Sequence, residues 1–278
     1  MDSKGMFAAH YRNRRSRMLS DEQVGAFGRD GYVNGGLALN DEEVEALRDE
    51  LARVIEDDGK PEVKQPVSLR NLSRDEAHPV WQIVNIWEAS APFEKLISAP
   101  KIVEEIAQLT GASALKVWHD QIQYKPAETG GVNMWHQDAP LWPIILPMTE
   151  VSAWVALDDV DGENGCMSMV PGSHEWGNQM SFIRDLEDYE AMPDTFEDKS
   201  VEVIRRPVKK GEVHYHHALT WHGSHANTSD RPRRAIAIHY MTEETKYVAS
   251  GEHLMKPFVN VADGEVLEGE HFPLVWES

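Results

Sequence analysis

Eight short segments between residues 114 and 241 limit the fold more than any other feature of this chain. They cover 114–124, 132–137, 150–157, 166–170, 201–206, 212–216, 220–225 and 233–241, and are rich in β-branched and aromatic residues. Gly, Pro and Asn turns separate them. Each such strand must bury one face, so a row of them closes into a sandwich, barrel or jelly roll. Within the row, residues 177–199 form an acidic insertion carrying Asp185, Glu187, Asp188, Glu190, Asp194, Glu197 and Asp198. A loop of that length is either a lid over a site or a solvated excursion. Both readings stay open.

The stretch before residue 114 reads as helical. Ser20-Asp21-Glu22-Gln23 has capping-box form and predicts a short helix ending near Gly31 or Gly35. Asn40-Asp41-Glu42-Glu43 repeats the signal ahead of Val44, Leu47, Leu51 and Val54, an apolar stripe at helical spacing. A third helix is expected from about residue 92 to 109, through Phe93, Leu96, Ile97, Ile102, Ile106 and Leu109, with Gly111 to stop it. Residues 60–90 read as irregular with one or two strands. The expected fold is therefore mainly β with a helical N-terminal layer, in one domain over 1–278. Its parts are a helical stretch (1–113), a β core (114–242) and a C-terminal extension (243–278).

Charged residues make up 27% and hydrophobic ones 41%, a globular composition. The net charge of −20 argues against nucleic acid and anionic membrane as partners. Cys166 is the only cysteine, which excludes an intramolecular disulfide and makes a reducing cytoplasm the expected setting. No apolar run approaches a membrane span. Arg12, Arg14, Arg15 and Arg17 precede no apolar stretch, so they read as a solvated basic arm rather than a secretory signal. The ending Trp276-Glu277-Ser278 is not a peroxisomal address. The sequence gives no reading of oligomeric state.

Chemistry concentrates at His136-Gln137-Asp138. On an extended segment, side chains two residues apart project from one face, so an imidazole and a carboxylate could converge on one ion. That is two thirds of the 2-His-1-carboxylate facial triad of non-haem iron oxygenases. A triplet of this form is expected roughly once by chance in a chain of average composition with this many histidines, so it needs a partner. Residues 211–227 offer five candidates: His214, His216, His217, His222 and His225. Chemistry alone does not choose among them. Arg231, Arg233 and Arg234 then lead into the alternating segment Ala235-Ile236-Ala237-Ile238-His239-Tyr240. A guanidinium at the start of a core strand suits a bidentate pair with a dicarboxylate, and two of the three arginines are expected to be a solvated basic turn.

The order W-H-Q-D, W-x-A-L-D-D, G-x-M-x-x-V-P-G-S-H and H-G-S-x-x-N-x-S-x-x-P-R, over roughly residues 18–275, resembles the phytanoyl-CoA dioxygenase family. The resemblance implies a double-stranded β-helix (a cupin-like jelly roll), Fe(2+), 2-oxoglutarate as cosubstrate and O2. It implies His136, Asp138 and His222 as metal ligands, with His217 a non-ligating neighbour. It places Arg233 and Ser224 on the distal carboxylate of 2-oxoglutarate, with Gln123 and Trp154 as further cosubstrate contacts. Gln121 and His119, two and four residues before Gln123, share its strand face and are candidates to meet substrate. Trp142 and Trp87 are substrate candidates too, as are Trp118 and Trp176, and each is also an ordinary core residue.

The expected reaction is hydroxylation of an unactivated C–H bond of a small molecule with release of succinate and CO2. Desaturation or cyclisation on the same site, and a non-catalytic jelly-roll binding protein, are the alternatives. The implied carboxylate at Asp138 disfavours halogenation, because related halogenases have a small residue there. Pro171-Gly172-Ser173-His174 reads as a turn, and His214, His216, His225 and His239 as strand or rim residues. A helical zinc motif is excluded around His217 and His222, since no glutamate follows and the segment reads as strand.

Overall fold

The computed structural model describes residues 18–72 and 76–278. The basic arm with Arg12, Arg14, Arg15 and Arg17 lies outside the described residues.

Helix α1 (Asp21–Asp30) starts at the expected capping box, with Ser20 and Gln23 each accepting from the other's backbone N–H. Gly31 ends it in the left-handed region at φ 81°, where its N–H reaches the Phe27 carbonyl. Strand β1 (Tyr32–Leu37) follows, then α2 (Asp41–Glu56), which buries Val44, Leu47, Leu51 and Val54. Strands β2 (Ser68–Asn71) and β3 (Trp81–Val84) occupy the irregular stretch.

The third expected helix is two, α3 (Ala91–Ile97) and α4 (Pro100–Thr110). Pro100 has no N–H for the Leu96 carbonyl and its ring would clash there, so the chain turns and Pro100 opens a new helix.

The β region runs through β4 (Ala114–Lys125), β5 (Asn133–His136), β6 (Ile145–Leu146), β7 (Val151–Ala156) and β8 (Met167–Met169). After α5 (Met180–Arg184) come β9 (Thr195–Phe196), β10 (Lys199–Ser200), β11 (Ile204–Arg206), β12 (Glu212–His217), β13 (His222–Ser224), β14 (Arg233–Thr242), β15 (Lys246–Tyr247) and β16 (Leu274–Glu277). Each of the eight expected segments contains a strand. Six strands were not expected: the two-residue strands β6, β9, β10 and β15, and the longer β1 and β16. β1 carries Gly35-Gly36 and a register shift at Asn34/Gly36, which hides its pattern, and β16 returns from the C-terminal extension to pair with β4.

Two antiparallel sheets face each other as a jelly roll. The larger has the order β1-β12-β7-β14-β4-β3-β2 and the smaller β11-β8-β13-β5. The two-residue side-chain period divides the larger sheet's faces. Val151, Ala153, Val155, Ile236, Ile238 and Tyr240 point out and pack under α1 to α4. Trp154, Ala156, Ala235 and Ala237 point in, towards Met167 and Met169 of the smaller sheet. The helices thus seal one face and leave the polar inward residues of β4, β7, β12 and β14 between the sheets.

The insertion at 177–199 is neither fully solvated nor loosely attached. Its acidic side chains are exposed, while Ile183, Tyr189 and Phe196 pack with Trp135 and Trp221. Trp135 donates to the Tyr189 carbonyl at 2.8 Å. Gln137, fully buried, donates to the Gly177 and Leu219 carbonyls and accepts from the Gln179 N–H. The residue between the two members of the H-x-D triplet therefore anchors the insertion.

Candidate active site

His136 and His222 are cross-strand partners in β5 and β13, with ring centroids 4.1 Å apart. Asp138 joins them by a route other than the expected one. Strand β5 ends at His136, and Asp138 has helical backbone angles (φ −71°, ψ −56°). The chain turns its carboxylate back over the strand end instead of projecting it from the same face. Asp138 Oδ1 then lies 3.7 Å from His136 Nε2 and 3.6 Å from His222 Nε2. Among the described residues these three form the group of side chains able to hold a metal, with ligand atoms within 4.8 Å of one another.

Their hydrogen bonds suit that task. His136 Nδ1 meets the Met134 carbonyl at 2.8 Å and His222 Nδ1 meets the Thr220 carbonyl at 2.9 Å. A carbonyl only accepts, so each Nδ1 carries the proton and each Nε2 is free to ligate. Burial, then the neighbouring His222, pushes His136 down to about 4, and burial also lowers His222. Both rings are neutral near pH 7, the form that binds metal. Burial works against the Asp138 carboxylate, but His222 and then the His216 hydrogen bond hold its carboxyl well below the usual range.

Asp138 Oδ2 is occupied by a set of residues the sequence reading left as strand or rim. Ser152 Oγ donates to it at 3.1 Å and His216 Nε2 lies 3.2 Å away. His239 Nδ1 reaches Ser152 Oγ at 2.6 Å. These side chains fix one carboxylate oxygen and present the other to the two histidines. The even-numbered alternation of His214 and His216 marks their strand face, but only pairing with β7 shows which face looks inward.

A buried cationic recess adjoins the triad. Arg233 is fully buried at the start of β14, donates to Ser224 Oγ at 3.0 Å and to the Gln123 carbonyl at 3.2 Å, and leaves Nε without a partner. The Trp154 ring lies 5.6 Å from its guanidinium carbon. Gln121, Gln123, Trp154, Ser224, Asp138 and His222 line a narrow cleft, and Arg233 sits behind it, in contact with Ser224, Gln123 and Trp154. Burial pushes Arg233 down to about 10, still charged near neutrality. Lys125, opposite it on β4, was not foreseen; it is buried and donates to the carbonyls of Ser224 and His225. Neither cation forms an ion pair with a carboxylate among the described residues. Of the other two arginines, Arg231 is a solvated turn residue, its side chain 40% exposed and paired with Asp161 at 2.9 Å, whereas Arg234 is drawn inward to Asp158 at 2.7 Å.

An outer cavity of about 690 Å³ opens beside His136 and Asp138, a size typical of small-molecule sites. His119, Gln121 and Gln123 of β4 line it, as their shared face requires, and so does Trp142. Trp87 does not. It packs half-buried against the helical core, because its short 3-10 turn follows β3 on the helix side of the sheet. Trp118 is buried in a stack on Phe272, and Trp176 packs with Trp221 and Phe196, so neither lines the cavity. Arg70, Gln82, Trp135, Met180 and His253 do line it and were not foreseen. His174 lies beside His217, away from the triad, in the turn expected for it.

Comparison with known proteins agrees with this geometry. The family model described as Phytanoyl-CoA dioxygenase (PhyH) matches residues 27–235. Peroxisomal phytanoyl-CoA dioxygenase of Rattus norvegicus is 23% identical over 269 residues, covering 89% of this chain and 77% of its own. Among solved structures, the non-heme alpha ketoglutarate dependent carbocyclase SnoK from nogalamycin biosynthesis is 29% identical. It matches with a TM-score of 0.72 over 93% of this chain and 97% of that one. The fold is also shared with EctD of S. alaskensis, at 21% identity and a TM-score of 0.65, over 82% of this chain and 78% of that one.

Proposed function

The chain belongs to the phytanoyl-CoA dioxygenase family, and from that membership we propose an Fe(II)- and 2-oxoglutarate-dependent dioxygenase acting on a C–H bond of a small molecule. His136, Asp138 and His222 hold the iron. The observation that carries the reading is the pair of buried cations beside the triad. Arg233, with an unpartnered Nε and no carboxylate, calls for an anion in the recess, since a buried charge without a counter-ion is strongly unfavourable.

When bound, ferrous iron, 2-oxoglutarate and O2 supply the oxidising power, and 2-oxoglutarate leaves as succinate and CO2. The protein's residues position and shield. Arg233 and Ser224 hold the distal carboxylate, Lys125 adds charge and ties down the carbonyls of residues 224 and 225, and Trp154 walls the recess. Ser152 and His216 keep Asp138 turned towards the iron. Gln123, Gln121, His119 and Trp142 face the substrate side. The balance for hydroxylation is one C–H bond, 2-oxoglutarate and O2 consumed for one alcohol, succinate and CO2. The kept carboxylate at Asp138 disfavours halogenation. A single domain belongs to the same reading, supported by described residues from β2 to beyond β14 lining one cavity. A cytoplasmic setting belongs to the same reading; the sole cysteine is buried and free, and among the described residues no helix is long and apolar enough to cross a membrane.

A second reading, oxidative ring formation, is favoured by the likeness to a carbocyclase. The two differ by product mass, a gain of one oxygen against a loss of two hydrogens.

The test is anaerobic addition of Fe(II) and 2-oxoglutarate to the full chain. The visible metal-to-ligand charge-transfer band of the chelate is expected, followed by succinate release in air. A metal-loaded protein that shows no band sinks the proposal.

A further inference from the structure

We propose that the outer cavity recognises an anionic group on its substrate, a carboxylate, phosphate or sulfate, through Arg70 of β2. The inference rests on the reading of this cavity as the substrate chamber.

Arg70 is the fixed cation among the described lining residues, and Asp138 is the acid among them. Asp138 is already engaged by Ser152 and His216. The guanidinium is held from one edge: Arg70 Nε donates to Gln82 Oε1 at 3.0 Å, and the Gln82 amide donates in turn to Gln121 Oε1. With its oxygen used on Arg70 and its NH2 on Gln121, the Gln82 amide has one orientation. The relay is directional, and it leaves both Nη groups of Arg70, an exposed residue at the rim of the cavity, without a protein acceptor among the described residues. Two parallel N–H groups on one edge match an oxyanion in a bidentate pair.

In a chain of net charge −20, Arg29, Arg48, Arg53, Arg231 and Arg234 each meet a carboxylate. Arg70, like Arg184, Arg205, Arg206 and Arg233, meets none among the described residues, and of these five it is the one that lines the outer cavity. Its neighbour in the cavity, His253, is held near 4 by burial and by the Arg70 charge, and so does not compete as a cation near neutrality. Trp142, Leu141, Leu254 and Met180 give the wall an apolar stretch among its polar residues. The substrate this fits has an apolar body along that wall and an anionic end at Arg70.

The test uses the full chain, loaded anaerobically with Fe(II) and saturating 2-oxoglutarate so that Arg233 is engaged. Three probes share one apolar body: 2-naphthylacetate, 2-naphthyl phosphate and the neutral 2-naphthylacetamide. Calorimetric binding of the better oxyanion is expected to exceed that of the amide by at least about tenfold, the scale of one charge-assisted hydrogen bond. Arg70→Gln erases the difference and Arg70→Lys restores part of it. The tighter of the two oxyanions names the class. Oxyanions that bind no better than the amide, or not at all at millimolar concentration, overturn the assignment, as does a difference that persists in Arg70→Gln. The charge-transfer band in the same samples tests the parent reading separately. A band without charge discrimination overturns the Arg70 role alone, and discrimination without a band overturns the oxygenase reading alone.

Discussion

Lys125 and Arg233 are cross-strand partners on β4 and β14, two buried cations side by side with no carboxylate paired to either among the described residues. Like charges directly opposite each other destabilise a sheet, and here burial compounds the effect. It holds Lys125 well below its usual range, with Arg233 the next cause. In the ligand-free protein burial and Arg233 thus bias Lys125 towards its neutral form. An incoming dicarboxylate opposes that bias.

Arg233→Met is expected to weaken 2-oxoglutarate binding on the order of a hundredfold, as for truncating one partner of a buried charge pair. It should also collapse the rise in melting temperature that 2-oxoglutarate gives the wild type. Anaerobic titration of the charge-transfer band and thermal scans with and without 2-oxoglutarate read both effects. An unchanged affinity places the cosubstrate elsewhere.

Ser152→Ala removes the 3.1 Å donor to Asp138 Oδ2 and the link to His239. Loss of such an outer hydrogen bond lowers metal affinity roughly 10- to 100-fold. Competition of the variant against a chelator of known Fe(II) affinity measures it, with circular dichroism to show that the fold is retained. Equal affinity would mean that Asp138 is oriented by His216 alone.

The metal-free protein should be most stable between about pH 6 and 7, given the shifts below. His136 and His217 are held near 4 and His239 near 3, chiefly by burial. As pH falls through their unfolded range near 6.5, the unfolded chain takes up protons that the fold refuses, and stability is lost towards pH 4. Asp120 and Glu150 are pushed up to about 8 by burial. They are protonated in the fold and ionised in the unfolded chain, so stability falls as pH rises from 6.5 through 8. Three histidines outweigh two carboxyls on the acid side. Urea unfolding at pH 5, 6.5 and 8 checks the sign of both slopes.

Asp158→Ala should cost about 3–5 kcal/mol, since it strands a partly buried pair of cations. Asp158 meets Arg48 at 2.6 Å and Arg234 at 2.7 Å, tying α2 to the strands β7 and β14 that it covers. Equilibrium unfolding in urea measures the loss, and a loss below 1 kcal/mol would show that solvent screens the cluster.

The failures of the sequence reading have specific causes. Helix periodicity ran unbroken from Phe93 to Leu109 because Pro100 falls between apolar positions, and its missing N–H decided the break. The H-x-D spacing promised convergence through an extended strand, whereas Asp138 reaches His136 through a turn after β5. Trp87 and Trp142 look alike in sequence, yet one packs under the helices and the other walls the cavity.

Local patterns in the sequence determined the strand row and the two capping boxes, because capping and alternation act between near neighbours, while the choice of His136, Asp138, His222 and Arg233 came from the family resemblance. Tertiary structure alone decided that Ser152, His216 and His239 surround Asp138, that Lys125 sits beside Arg233, and that Arg70 and His253 share one cavity. Those contacts join strands far apart in sequence. The first two depend on register between β4, β7, β12 and β14, and a shift of one residue there would turn Lys125, Ser152, His216, Arg233 and His239 to the opposite face.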